Sequence, residues 1–126
     1  MKFVFTAARI LLALIWIVFG LNGFLRFIPI PPLADPAQIF MNSLLATGYM
    51  MPFWKTTEII CGLAFLTNRW VPLAAVVSAP ITLNILAFHV FLDPGGLVIG
   101  IVVTVLNVIV AWEHRGVWMP LVRSRI

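Results

Sequence analysis

Leu11-Leu12-Ala13-Leu14-Ile15-Trp16-Ile17-Val18-Phe19 carries no charged side chain, and it lies inside a longer apolar run from Ala8 to Phe27. About 20 apolar residues rising 1.5 Å each cross a hydrocarbon core of about 30 Å. A cleaved leader is the competing reading, because Lys2 precedes the run. No small-x-small cleavage site follows it, however, and Phe24-Leu25-Arg26-Phe27 continues in its place. The segment is expected to be retained as a first membrane span.

The rest of the chain agrees with that reading. Of its 126 residues 63% are hydrophobic and 10% charged, and the mean hydropathy is +1.12. Soluble domains run at about 45–50% apolar and about 25% charged, and a soluble chain this short could not hide so much apolar surface. The length suits one domain. Three further spans are expected, over 51–66, 71–92 and 97–112. Asn68-Arg69-Trp70 forms a tight turn between the second and third, and Asp93-Pro94-Gly95-Gly96 a turn between the third and fourth. Pro80 should kink the third span. The spacing predicts an all-α integral membrane four-helix bundle.

Between the first two spans Pro29, Pro31, Pro32 and Pro36 forbid a continuous helix. From Pro36 onward Phe40, Leu44 and Leu45 fall at helical spacing. Asp35 is the expected N-cap and Gly48 the expected stop. A segment over 36–47 is too short to span, so it is expected to lie in the interface or re-enter the membrane.

A net charge of +4 and a pI near 10.3 do not point to nucleic acid, because the basic residues form no clustered footprint. They flank the apolar runs instead. With alternating spans, Lys2, Arg9, Arg69, Arg115, Arg123 and Arg125 share one side, leaving Arg26 and Lys55 toward the other. The positive-inside rule then puts both termini in the cytoplasm and the long first loop outside, in a bacterial inner membrane facing the periplasm. Trp54, Trp70, Trp112 and Trp118 lie near span ends, where indoles anchor at the interface.

Ionisable groups inside spans need a partner or a wet cavity. Glu58 lies about two turns into the second expected span, with Lys55 at i−3. The pair reads either as structural, with Lys55 snorkelling outward, or as the polar centre of a site that binds a ligand or handles a proton. Asn22, Asn84 and His89 fall at similar depth, although residues 84 and 89 are about 140° apart on a helix. Interhelical bonding is the simpler role for Asn22 and Asn84, and a loop contact for His89. In the fourth span Gly100, Val103, Thr104 and Asn107 read as a helix–helix seam.

His89 and His114 fall at opposite ends of their spans, and no His/Cys pair has ligand spacing, so no metal or haem site is expected. Cys61 is the single cysteine; it reads as a small hydrophobe and cannot form an intrachain disulfide or a two-thiol relay. Redox chemistry here would draw its electron carrier from a lipid-soluble quinone or a partner subunit.

Taken in order, several short stretches resemble the DoxX-like membrane proteins of bacteria over nearly the whole chain. They are Ala8-Arg9-Ile10-Leu11-Leu12, Phe19-Gly20-Leu21-Asn22-Gly23-Phe24, Pro29-Ile30-Pro31-Pro32, Thr47-Gly48-Tyr49, and Lys55 with Glu58 and Gly62. Arg69-Trp70-Val71-Pro72-Leu73-Ala74, Ala79-Pro80-Ile81, Asn84-Ile85 and Phe88-His89-Val90-Phe91-Leu92 complete them. The resemblance implies a four-helix membrane fold and a redox-associated accessory role. Some such proteins look like subunits of a thiosulfate:quinone oxidoreductase or accessories to oxidative-stress complexes. The leading expectation is therefore a polar cavity around Glu58, with Lys55, Asn22, Asn84 and His89, that takes a quinone-like or other small ligand. An assembly partner for a membrane complex, and a small-solute or proton carrier acting as a homo-oligomer, are the alternatives.

Overall fold

The computed structural model describes residues 1–125. Among them every regular element is helical: α1 (Lys2–Leu25), α2 (Asp35–Ala46), α3 (Met50–Thr67), α4 (Val71–Phe91), α5 (Leu97–Glu113) and the short α6 (Arg115–Trp118). Single 3₁₀ turns, Pro94–Gly96 and Met119–Val122, precede α5 and follow α6. The four long helices form a ring in which α1 packs on α3 and α5, and α4 packs on α3 and α5.

Three helical stretches are long and apolar enough to cross a membrane: Lys2–Leu25, Val71–Phe91 and Pro94–Glu113, with hydropathies of 2.3, 1.9 and 2.3. The second expected span, 51–66, corresponds to α3, which falls outside that set. Its first half holds Lys55-Thr56-Thr57-Glu58, and those four side chains offset the apolar half that follows. The outward faces of the ring are apolar, with Leu11, Leu14, Leu83, Ile101 and Val108 among the exposed side chains.

The most extensive contact is between α1 and α3, and small residues bring the two backbones close. A Cβ on Gly62 would lie 3.0 Å from the Ile17 nitrogen and 3.1 Å from the Ala13 carbonyl oxygen. One on Gly20 would lie 3.2 Å from the Lys55 carbonyl oxygen, and one on Gly23 would collide with the aliphatic stem of Lys55. The helices are antiparallel, and at the far end of the seam Arg9 reaches the C-terminus of α3. Its guanidinium donates to the carbonyls of Phe65 and Leu66 in the last turn, where helix carbonyls lack their usual i+4 donors. Trp16, Leu12, Ala13, Cys61 and Phe65 form the core here; Cys61 is buried and unpaired.

On the other side of the ring Asn107 of α5 donates to Ser78 Oγ (3.1 Å) and Thr82 Oγ1 (2.7 Å) of α4. Gly100, Val103, Asn107 and Val110 are the buried positions of α5. Gly100, Val103 and Asn107 of the expected seam are thus buried, with hydroxyls on α4 as the acceptors, whereas Thr104 is half-buried and donates to the Gly100 carbonyl of its own helix. Pro80 lies inside α4, which stays helical on both sides of it.

The turn between α3 and α4 uses Asn68 and Trp70 in left-handed conformations, φ 56° and 60°. At the opposite end α2 begins at Asp35, one residue earlier than expected, with Ala34 as N-cap and Pro36 in the first turn. It ends at Ala46. Thr47 Oγ1 donates to the Leu44 carbonyl and accepts from Met50 N–H, tying α2 directly to α3.

Candidate functional site

A cavity of about 390 Å³ lies where five parts of the chain converge, a size within the usual range for small-molecule sites. Ile15, Trp16 and Phe19 of α1 and Trp54, Lys55 and Glu58 of α3 form two walls. Asn84, Ile85, Phe88 and His89 of α4 form a third, Ile99 and Val103 of α5 a fourth. The proline-rich segment Ile28–Leu33, with Phe40, Met41 and Leu44 of α2, covers one end. That cover follows from the local sequence: Pro29, Pro31 and Pro32 keep 28–33 out of a helix, and α2 then lays its apolar side back on the bundle. Phe40 meets Phe88 at 5.6 Å between ring centroids.

Four of the five residues singled out from sequence line this cavity, and one does not. Glu58 is 3% exposed and accepts a charged hydrogen bond from Lys55 Nζ at 3.3 Å. Gly23 makes room for this by letting the Lys55 stem run against α1. Asn84 and His89 both face the cavity despite their angular separation on α4, because Ile85 and Phe88 fill the arc between them and the cavity spans the whole face.

Asn22 is buried, at 5% exposed, but serves the backbone instead. Its Oδ1 accepts from Ile28 N–H at 2.7 Å, and its Nδ2 donates to the Ile28 carbonyl at 3.3 Å. The chain leaves α1 through Arg26 in the left-handed region (φ 52°), and Asn22 fastens the segment that follows. Asn22 therefore shapes the cavity's cover without lining the cavity.

His89 Nδ1 lies 3.2 Å from the Asp93 carbonyl and 3.4 Å from Asp93 Oδ2. Phe88 packs edge-on against the imidazole at 5.2 Å. A side chain at Gly96 would collide with the ring, so the glycine of the 93–96 turn is what lets His89 pack down onto the start of α5.

Two cavity residues went unmarked in sequence. Trp16 reads as one more apolar residue of the first span, and Trp54 as an interface anchor. Signals were present for both: an indole in mid-span still needs an acceptor for its N–H, and Trp54 sits at i−4 from Glu58 on the same helix face.

The arrangement is an apolar chamber with one buried ion pair, an amide, an imidazole and two indoles around it. Such a chamber can hold a lipophile by its hydrocarbon surface and orient it by a few polar contacts. Among the described residues no group of three His, Cys, Asp or Glu side chains comes together to hold a metal ion. No protein-family model, curated protein or solved structure matches the chain.

Proposed function

We propose that this chain is a DoxX-like inner-membrane protein, a redox-associated accessory whose cavity around Glu58 binds a quinone-like or similarly small lipophilic ligand. One observation carries the reading: Lys55, Glu58, Asn84 and His89, drawn from two helices, line a single apolar cavity. A purely structural Lys55–Glu58 pair has no need of a cavity beside it, nor of Asn84 and His89 on the same wall.

In this reading α3 is a fourth span, its Lys55–Glu58 segment shielded from lipid by α1 and by the residues around the cavity. Apolar faces on the ring, and the charged groups gathered at the two chain ends and the 68–70 turn, support insertion with that side in the cytoplasm. The cavity then opens toward the outer half of the bilayer, from which a lipid-soluble ligand enters without crossing water. Glu58 serves as the central acid and Lys55 as its charge partner. Asn84 and His89 orient the ligand's polar head, and Phe40, Phe88 and Ile85 hold its hydrocarbon part.

Photo-crosslinking with a quinone analogue in native membranes tests the site. Labelling should fall by about tenfold in His89→Ala, which loses a contact to the ligand's polar head, and in Glu58→Gln, which removes the carboxylate that positions Lys55. Labelling unchanged in both variants would remove the site assignment.

A further inference from the structure

Among the described residues, the buried side-chain polar atoms without a hydrogen-bond partner are two, Trp16 Nε1 and Trp54 Nε1. Both side chains line the cavity around Glu58. Trp16 is 2% exposed, so neither water nor lipid headgroups outside the bundle satisfy its N–H. Folded proteins rarely leave such groups unpaired without a reason. Here the two exceptions fall on one chamber and on neighbouring helices. By contrast Trp118, outside the cavity, donates to the Ala111 carbonyl at 2.6 Å.

An indole N–H only donates. What completes the two side chains is therefore an acceptor, and the protein wall offers few. The cavity's acidic acceptors are Glu58, whose Oε2 is engaged by Lys55, and Asp93, which lies against His89. Apart from these, Asn84 and His89 the lining is apolar, and no wall group hydrogen-bonds either indole, so the occupant has to bring the acceptors on a hydrocarbon body. An anionic occupant would sit against the Glu58 carboxylate, and a cationic one would compete with Lys55. An uncharged lipophile with carbonyl oxygens meets neither difficulty.

We propose that Trp16 and Trp54 donate their indole N–H groups to the carbonyl oxygens of an uncharged lipophile bound in the Glu58 cavity. This rests on the cavity being a ligand site, and it adds the chemistry by which the ligand is selected. The two indoles are specificity-determining residues: they distinguish a carbonyl-bearing molecule from a hydrocarbon of the same shape.

The test uses the full chain in detergent with two probes, decyl-benzoquinone and decylbenzene. Indole ¹⁵N–¹H spectra resolve the five tryptophans, assigned by single Trp→Phe variants. The quinone should shift the Trp16 and Trp54 signals downfield and leave Trp118 in place, and decylbenzene should shift neither downfield. Trp16→Phe and Trp54→Phe should each weaken quinone binding about three- to tenfold, the range for one neutral hydrogen bond, with decylbenzene binding unchanged. Equal affinity of the wild type for both probes would overturn the proposal while leaving a lipophile site in place. Variants that lose both probes equally would also overturn it, by making the rings packing groups. A wild type that binds neither would remove the ligand site itself.

Discussion

Glu58 and Lys55 are the residues on which the site turns, and their energetics can be separated from their role. A buried ion pair costs desolvation on both sides, so deleting one partner is far worse than replacing both with apolar groups. Lys55→Met leaves the Glu58 carboxylate, 3% exposed, without its partner and should destabilise the protein by about 3 kcal/mol. Lys55→Met/Glu58→Leu should restore stability to within about 1 kcal/mol of wild type. Reversible unfolding in mixed micelles measures both. The double variant should nevertheless lose the ligand, which sets a binding role apart from a structural one. A double variant as unstable as Lys55→Met would mean that the pair holds the fold together.

At the scale of the element, the α1–α3 seam positions the cavity. Gly20, Gly23 and Gly62 let α1 and α3 approach until Lys55 lies along α1 and Trp16 and Trp54 share one chamber. Gly62→Leu drives a side chain into the Ala13–Ile17 backbone and should cost about 2 kcal/mol, the usual penalty of overpacking, measured in the same unfolding assay. It should also weaken ligand binding, although Gly62 does not line the cavity. A stable Gly62→Leu protein with normal binding would contradict this account of the seam.

The seam also shows how far sequence carries. Apolar runs and turn residues placed α4 and α5 to within about one residue, because hydrophobic length and glycine or proline punctuation are local properties; α1 begins at Lys2, ahead of the run expected from Ala8. α2 was legible from its proline and helical spacing. The polar pattern marked Glu58, Lys55, Asn84 and His89 because charge and amides in a span are rare and costly. It could not separate Asn22 from them, since whether an amide turns toward a cavity or back to its own chain depends on where the chain goes after Arg26. Trp16 and Trp54 were hidden for the opposite reason: composition counts an indole as apolar, and only its neighbours reveal that its N–H is unpaired. The hydroxyl partners of Asn107 likewise lie 25 and 29 residues away in sequence.

In the proposed reading the whole molecule is a membrane bundle with a ligand chamber under an extracytoplasmic cover. Orientation is checked by cysteine labelling, since Cys61 is the single native thiol. In a Cys61→Ala background, a cysteine at Asp35 should react with an impermeant maleimide from outside intact cells. One at Ser124 should react only after lysis; the reverse pattern would invert the topology. The central claim is that the chamber holds a lipophile through Glu58. The most direct measurement is mass spectrometry of the lipophilic molecules that co-purify with wild-type protein and with Glu58→Gln. The account predicts a carbonyl-bearing lipophile such as a quinone in the first, lost from the second. Nothing specific in either sample would contradict it and leave Lys55–Glu58 as a structural pair in an assembly partner.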